Sequence, residues 1–440
     1  MKRKIVSILV GTAMVSVLLA GCGGSDSSSA ASGSSAAESA SSAVSEAAEE
    51  ETAAASSETS EAVEEETAKA SSEAAEEETA AAGEESAVSA DTLVINPDNM
   101  LEGTPYEGIE AKDAYEFEII VKAFQASYYQ AVIEGANDAA EDLGVTVNAL
   151  GPNTESDIAD QVNMLNSAVN GNLDGVAIAP CDNASVVDSL NNAKNAGVPV
   201  VYFDSLADQA PEGTVQAAVV TDSLAAGGVG GHEMWDAIKG RVGDQQVQVG
   251  MLAQDAVSSN HQLRGLGFIN GLIEAATADG VSVAVTGNDW FVGAVEDAGD
   301  ASSAQVVINC AVPAQANIDM CATEASAIMN KEGFAGIYGS GQLASEGIIQ
   351  ANDNLAILGS DPEKDAIMVG FDAGTILKGA VADGTVYGAI TQMPYAEGYY
   401  TVAALVAAAN GDEVVDMPLP GYFYNAGNME DELIAPNLYE

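Results

Sequence analysis

The stretch from residue 173 to residue 205, LDGVAIAPCDNASVVDSLNNAKNAGVPVVYFDS, decides the fold class. Two short apolar runs, GVAIAP (175–180) and VPVVYFD (198–204), flank a segment of helix length (184–197). Strands that are apolar throughout and joined by a helix are typical of a parallel sheet covered by helices on both faces. The stretch therefore predicts an α/β protein.

The same alternation continues on both sides of this stretch. Two more strands are predicted before it, at 117–124 and 145–150, and a second series of five follows it. We therefore predict two doubly wound parallel-sheet lobes, with the carboxyl ends of their strands around a shared cleft. The strands of the second series are predicted at 247–253, 305–311, 336–340, 367–372 and 386–392, and its helices at about 222–239, 258–278, 319–331, 342–353 and 374–382.

The charge of the chain argues against a nucleic-acid partner. The 440 residues carry 67 acids and 13 bases, for a formal net charge of −54. Binding to a duplex or to an anionic lipid surface needs a basic face. The only basic cluster is KRK at 2–4, so we expect no nucleic-acid function.

The N-terminus has the features of a targeting segment. A basic start is followed by an apolar run at 5–19 and by LAGC, which ends at Cys22. LAGC resembles the bacterial lipobox, which implies a signal peptide over 1–21 and two acyl chains on Cys22, enough for stable anchoring. The alternative is an ordinary signal peptide with an incidental cysteine. We expect the extracytoplasmic face of the cell membrane.

A low-complexity segment separates Cys22 from the α/β pattern. Residues 23–90 are mostly Ser, Ala and Glu, with seventeen acids and one lysine. Without an apolar face, and with strong self-repulsion, this composition predicts a disordered tether over 22–90. A helical stalk is the alternative. An N-terminal extension over 91–112 precedes the lobes.

The remaining cysteines and the two histidines predict no cofactor site. Cys181, Cys310 and Cys321 match neither a disulfide framework nor a zinc spacing. Cys310 and Cys321 either pair or are small buried hydrophobes. His232 and His261 are isolated and cannot build a typical zinc site. We therefore expect neither a metal nor another cofactor.

Residues 115–420 resemble the type I periplasmic sugar-binding proteins of ABC importers, closest to the ribose- and galactose-binding branch. The resemblance rests on the opening stretch and on five shorter motifs, in the order of the family. It implies two lobes joined by three hinge crossovers, near Thr221–Asp222, Gln392–Met393 and Pro420–Gly421. DNA-binding repressors share this fold, but they need a basic helix-turn-helix in front. The five motifs are YYQAVIEGANDAAEDLG, TDSLAAGG, RGLGF, VGFDAG and GAITQMP.

These crossovers divide the chain into two discontinuous lobes. The N-terminal lobe is predicted at 113–220 plus 394–420. The C-terminal lobe is predicted at 221–393 plus 421–440.

The aromatic part of the site is expected at the start of the first helix. Tyr128 and Tyr129 match the family's paired aromatics that sandwich the sugar ring. Adjacent helix positions are about 100° apart, so the core alternative does not suit both rings, and at least one is expected in the cleft. Lys122 and Gln125 are secondary candidates. Lys122 replaces a small polar residue, which indicates a different ligand or an internal ion pair.

The polar part of the site is expected at strand ends. Asp204 follows a strand and is either a ligand contact or a turn carboxylate, and Ser205 stands where the branch often has an arginine. Arg264 opens RGLGF and would form paired hydrogen bonds to the ligand; the alternative is a surface ion pair. Asp372 and Gln392, also at strand ends, complete the implied set.

Three further candidates depart from the family pattern. Gln342 lies near the position of a family asparagine and is expected to supply its amide. The segment 285–304 looks like an addition to the family core, with Asn288 as a weak candidate. Within it, Trp290 is either a substitute for the family's third aromatic or a structural residue. His261, three residues before Arg264, is a possible cleft residue.

The resemblance implies a binding function. We expect a monomeric, lipid-anchored substrate-binding protein that takes a pentose or hexose and delivers it to an ABC permease. The alternative is a sensor of the same fold for a nucleoside, polyol or sugar-like signal, coupled to a membrane kinase or chemoreceptor. No Ser/His/Asp or Cys/His constellation stands out, so we do not expect an enzyme.

Overall fold

A computed structural model describes residues 99–207 and 209–440. The predicted signal peptide, the lipidation site Cys22, the tether and the first part of the 91–112 extension lie outside the described residues. Within them, no helix combines the length and the hydropathy that crossing a membrane requires.

The first sheet has six parallel strands in the order β12-β5-β4-β3-β1-β2. This sheet and its helices are called the N-terminal lobe below. Its strands are β1 (Glu116–Ile120), β2 (Thr146–Leu150), β3 (Gly175–Ile178), β4 (Val200–Phe203), β5 (Ala217–Thr221) and β12 (Met417–Leu419). Its helices are α1 (Ser127–Leu143), α2 (Ile158–Val169), α3 (Val187–Ala196) and α10 (Pro394–Asn410).

The second sheet has seven strands in the order β13-β11-β10-β9-β6-β8-β7, parallel except for β13. This sheet and its helices form the C-terminal lobe. Its strands are β6 (Val247–Leu252), β7 (Val283–Gly287), β8 (Val306–Ala311), β9 (Phe334–Gly339), β10 (Ile367–Phe371), β11 (Gly388–Thr391) and β13 (Tyr422–Tyr424). Its helices are α4 (Ser223–Ile238), α5 (Ser259–Ala278), α6 (Asp289–Ala294), α7 (Ile318–Met329), α8 (Gln342–Leu355) and α9 (Thr375–Ala382).

Successive residues of the central strands pack on opposite faces. In β3, Ala177 belongs to the apolar cluster under α1 and α10, whereas Val176 and Ile178 belong to the cluster under α2 and α3. Both faces are therefore covered, which explains the continuous apolar run of the sequence. The predicted fold class, α/β with two doubly wound lobes, is confirmed.

The chain passes between the two sheets three times. It does so between β5 and α4, between β11 and α10, and between β12 and β13. The segment 285–304 supplies most of β7, an edge strand, and all of α6. Cys181, Cys310 and Cys321 are all free and buried, so the pairing of Cys310 with Cys321 does not occur here.

Close packing of α4 on α5 fixes the helix that carries Arg264. A Cβ on Gly227 would lie 2.2 Å from the carbonyl oxygen of Arg264, and one on Gly267 would lie 2.1 Å from that of Leu224. Only glycine allows the two backbones to come so near. Glycines of both helices therefore allow α4 to pack closely on the helix that carries Arg264.

Candidate ligand-binding cleft

A cavity of about 810 Å³ lies between the two lobes, beyond the carboxyl ends of their strands. This is the position at which open α/β sheets bind their ligands. Both lobes contribute polar side chains and the N-terminal lobe contributes two aromatic rings. The lining of the cavity includes Gln125, Tyr128, Tyr129, Glu155, Asp204, Gln254, Asn260, His261, Arg264, Gln342, Asp372 and Gln392.

Two aspartates enter the cavity from equivalent positions in the two lobes. Asp204 follows Phe203 at the end of β4, and Asp372 follows Phe371 at the end of β10. Both have a positive φ, 57° and 80°, which non-glycine residues seldom adopt. The turn at each strand end directs a carboxylate into the cleft, and such strained positions are concentrated at binding sites.

Arg264 lies between these two carboxylates. Its Nη2 is 3.6 Å from Oδ1 of Asp204, and its Nη1 is 3.8 Å from Oδ2 of Asp372. Nη2 also donates to Oε1 of Gln392 at 2.7 Å, and the guanidinium lies 4.1 Å from the centroid of the Phe371 ring. Burial lowers the pKa of Arg264, but Asp372 and Asp204 outweigh it and raise the pKa. The side chain is a buried cation in the cleft, which excludes the surface ion pair.

Arg264 also has one hydrogen-bond donor without a partner among the described residues. Its Nε has no hydrogen-bond partner among the described residues, although the atom is buried. A buried donor left unpaired costs about 1–3 kcal/mol. The arginine therefore has unused hydrogen-bonding capacity beside the cavity.

Lys122 forms an internal ion pair and does not line the cavity. Its side chain is 1% exposed, and Nζ lies 3.1 Å from Oδ2 of Asp204. Nζ also donates to Ser258 Oγ at 2.6 Å and to Asn260 Oδ1 at 3.1 Å, both in the C-terminal lobe. Burial lowers the pKa of Lys122, but Asp204 and other acids outweigh it and raise the pKa. Lys122 thus links the lobes. Of the two roles expected for it, the structure shows the internal ion pair and no contact with the cavity.

Both tyrosines face the cavity and the core at once. The rings of Tyr128 and Tyr129 are buried, nearly perpendicular, and 5.0 Å apart between centroids. Tyr129 OH donates to Asp204 Oδ2 at 2.8 Å, and Tyr128 OH lies 3.1 Å from both carboxyl oxygens of Glu397. The two expected roles, cleft and core, are therefore not exclusive.

The remaining expectations have mixed outcomes. Gln125 lines the cavity and is exposed, and Gln342 lines it with its backbone N–H donating to Asp372 Oδ2 at 2.8 Å. Ser205 is buried outside the cavity and donates to the carbonyl of Pro180 at 2.8 Å. It therefore supports the turn and does not replace the arginine.

The structure places Trp290 outside the cavity. It is 36% exposed, packs edge-on against Phe291, and does not line the cavity. Its neighbour Asn288 also lies outside the cavity, where its side chain caps α6 by accepting from the backbone N–H groups of Trp290 and Phe291. Besides Tyr129, the ring of Tyr439 also packs on Tyr128, 5.7 Å away between centroids.

Four residues near the cleft were missed by the sequence reasoning. Asn260 donates to Asp204 Oδ1 at 2.9 Å and lies one helical turn before Arg264, a spacing that could have indicated it. Glu155 follows β2, so the strand-end rule could also have found it. Gln254 follows β6 and donates to Glu155 at 2.9 Å. Glu397 lies in the uniformly apolar helix α10, where no pattern marks it.

The acids that border the cleft have perturbed pKa values. Burial, followed by Asp204, raises the pKa of Glu397 well above its ordinary value. Burial also raises the pKa of Glu155, to about 7, although Lys122 opposes the shift. Such displaced values are concentrated where side chains meet ligands or one another in desolvated sites.

Comparison with known proteins identifies the family. Residues 117–413, more than half of the chain, match the family described as "Periplasmic binding protein domain". The chain therefore belongs to the periplasmic binding protein family, and its two parallel lobes are those of the type I fold.

Three relatives illustrate the similarity. The D-allose-binding periplasmic protein of Escherichia coli (strain K12) is 27% identical over 135 residues, which are 30% of this chain and 43% of that protein. The match thus spans less than half of that relative's length. The structure of an "ABC transporter, LacI family transcriptional regulator" from Brachyspira murdochii is 27% identical, with a TM-score of 0.62, and the match covers 74% of this chain and 99% of that one. An ABC transporter solute binding protein from Agrobacterium vitis with bound D-fucose is 23% identical, with a TM-score of 0.60 over 74% and 100% of the two chains.

Proposed function

We propose that this protein is the substrate-binding lipoprotein of an ABC importer, which binds a pentose or hexose between its lobes and delivers it to a membrane permease. The observation that carries the proposal is the cavity at the strand ends of both lobes. It combines the tyrosine pair with a guanidinium, two carboxylates and amides. A sugar needs this combination, because its hydroxyls donate and accept hydrogen bonds and its C–H faces pack on aromatic rings.

The relatives support a sugar as the ligand class. One is named for D-allose, and another holds D-fucose. The LAGC sequence that ends at Cys22 supports anchoring to the outer face of the cell membrane, since a two-chain lipid anchor is stable. Closing of the lobes over the sugar would be a hinge motion at the three passages between the sheets.

The first experiment is a thermal-shift screen of the purified protein. The panel contains pentoses and hexoses, D-allose and D-fucose among them, together with polyols and nucleosides. A sugar that binds only the folded state raises the melting temperature by mass action, so we expect a shift with one or a few monosaccharides, and no conversion of the sugar. Shifts with nucleosides or polyols alone would favour the sensor alternative, and an absence of any shift would contradict both.

A matched pair of variants locates the binding site. Asp372→Asn removes a carboxylate that lines the cavity, whereas Asp353→Asn makes the same charge change on an exposed part of α8. We expect the sugar-induced shift to be clearly smaller in the first variant and unchanged in the second. Equal shifts in both variants would place the sugar elsewhere.

A further inference from the structure

Three side chains with metal-ligating atoms meet where the lobes face each other. They are Glu155, in the loop after β2, and Asp255 and His261, in the loop after β6 and the first turn of α5. One ligand atom from each lies within 4.8 Å of the other two. His261 Nε2 is 3.8 Å from Oε2 of Glu155 and 3.8 Å from Oδ2 of Asp255. The cluster thus joins one ligand of the N-terminal lobe to two of the C-terminal lobe.

The hydrogen bonds of Gln254 define which nitrogen of His261 carries a lone pair. The Gln254 Oε1 accepts from the backbone N–H of Leu343 at 2.9 Å, which fixes the orientation of the amide. Its Nε2 therefore points to Glu155 Oε2 at 2.9 Å and to His261 Nε2 at 3.4 Å. An amide nitrogen only donates, so Nε2 of His261 is the acceptor and Nδ1–H faces Ser340 Oγ at 3.5 Å.

In this tautomer the Nε2 lone pair of His261 faces the carboxylates of Glu155 and Asp255, and an ion would replace the Gln254 amide as the partner of Nε2 and of Glu155 Oε2. His261 is 3% exposed, and its Nε2 lies 3.8 Å from one oxygen of Glu155 and 3.8 Å from one oxygen of Asp255. A neutral imidazole nitrogen beside two carboxylate oxygens is a ligand set for a divalent cation.

The surrounding charge also favours a cation. Around His261, acidic side chains outnumber basic ones by four to two. The acids are Glu155, Asp204, Asp255 and Asp372, and the bases are Lys122 and Arg264.

We propose that a divalent transition-metal ion of the zinc class binds between the lobes to Glu155, Asp255 and His261. Bonds from zinc to imidazole nitrogen and carboxylate oxygen are about 2.0–2.2 Å long, so one ion reaches all three atoms after modest side-chain rotation. The imidazole favours zinc over calcium and magnesium, which prefer oxygen ligands. Glu155 and His261 line the cavity, so a further coordination position is open to water or to a bound ligand.

The ion would hold the lobes together, because its ligands come from both. It binds with all three ligands only when the lobes are in contact, and it therefore stabilises that arrangement. The site does not depend on which small molecule the cavity takes. It can be tested with no sugar present, so its failure and that of the proposed function are separate results.

The test is calorimetric titration of the purified protein with Zn²⁺, with Ca²⁺ as the contrast. The net charge of −54 predicts weak binding at many exposed acids, so the control must report that background. His232→Gln is the matched control, because His232 is exposed and its Nε2 lies 3.7 Å from Glu274. His261→Gln and Glu155→Gln remove one ligand from each lobe. Melting in a chelator verifies that each variant is folded.

We expect one Zn²⁺ per chain to bind at least tenfold more tightly than the background and than Ca²⁺. That site should be lost in His261→Gln and in Glu155→Gln, and kept in His232→Gln. Zn²⁺ binding that is the same in His261→Gln as in the unsubstituted protein would overturn the proposal, since the ions would then be on the surface. Equal affinity for Ca²⁺ would also overturn it, since an acidic cluster without the imidazole would then suffice.

Discussion

Asp204 and Asp372 show how two lobes of the same architecture use the same residue differently. Each follows a phenylalanine at the end of a parallel strand, each has a positive φ, and each is buried beside Arg264. The backbone geometry of the two positions is therefore equivalent. What differs is the set of partners that the fold supplies.

The carboxylate of Asp204 is engaged by other side chains of the protein. It accepts from Tyr129 OH and Asn260 Nδ2 and pairs with Lys122 Nζ. Burial raises its pKa, but Lys122 and Arg264 outweigh burial and hold the pKa below its ordinary value. This carboxylate belongs to the contact between the lobes.

The carboxylate of Asp372 has fewer partners within the protein. It accepts from the side-chain amide of Gln392 and the backbone N–H of Gln342, and Arg264 lies 3.8 Å away. Burial raises its pKa above the ordinary value, against the effect of Arg264. A carboxylate has about four acceptor positions, so Asp372 retains capacity for a ligand. The partners nearby thus determine how many acceptor positions of a strand-end carboxylate are left for a ligand.

The largest expected effect comes from removing the cation of Asp204. Lys122→Met leaves a buried carboxylate without its ammonium partner, and breaking a buried ion pair in this way costs about 3–5 kcal/mol. We expect the free energy of unfolding, measured with urea, to fall by that amount. The double variant Lys122→Met/Asp204→Asn should recover part of the loss. If Lys122→Met loses less than about 1 kcal/mol, the ion pair is not the link we describe.

A second prediction concerns the arginine shared by the two aspartates. Arg264→Lys keeps the charge but loses the planar fork that reaches Gln392 and lies over Phe371. Charged hydrogen bonds contribute about 1.5–3 kcal/mol, so we expect sugar affinity to fall roughly tenfold to a hundredfold. Titration calorimetry measures this loss. An affinity as high as that of the unsubstituted protein would show that a point charge is sufficient.

A third and smaller effect is the pH dependence that Glu397 contributes. Its folded pKa is raised by burial and by Asp204, against Tyr128, Arg264 and Lys122. Above the unfolded pKa of about 4.3, folding must take up a proton, so this contribution to stability falls as pH rises toward the folded pKa. The variant Glu397→Gln has no carboxyl group at this position and therefore lacks this pH-dependent contribution to stability. We expect its stability relative to the unsubstituted protein to be higher at pH 8 than at pH 5, by urea unfolding; the opposite trend would contradict the account.

The smallest expected effect is that of Trp290. Because Trp290 is partly exposed and outside the cavity, Trp290→Phe should change the dissociation constant of the sugar by less than about twofold. Calorimetric titration of this variant provides the baseline for the other substitutions. A tenfold loss of affinity for the sugar would indicate that Trp290 contacts it.

Much of the fold and part of the site could be predicted from the sequence. Apolar strand runs alternating with helices indicate the doubly covered sheets, and the strand-end rule places Asp204, Asp372 and Gln392 in one cleft. Arg264 follows from the family resemblance. Each of these features lies within one strand or helix, so it can be recognised from the order of residues in the sequence.

The rest depends on how distant segments meet. Lys122 faces Ser258 and Asn260 only because the lobes are in contact, and Tyr439 reaches Tyr128 from the far end of the chain. Hydrophobic periodicity does not record such pairings. The helix α10 was missed for a different reason, since it is buried nearly all round and shows no amphipathic pattern.

The central claim is that the cavity binds one small sugar with Asp372 as a ligand-facing carboxylate and Asp204 as a structural one. Calorimetric titration of the best sugar of the screen into the unsubstituted protein and into Asp372→Asn tests it most directly. We predict one sugar per chain for the former and an affinity at least tenfold lower for the latter, with little change in melting temperature without sugar. Equal affinities, or no binding by any sugar, would contradict the account.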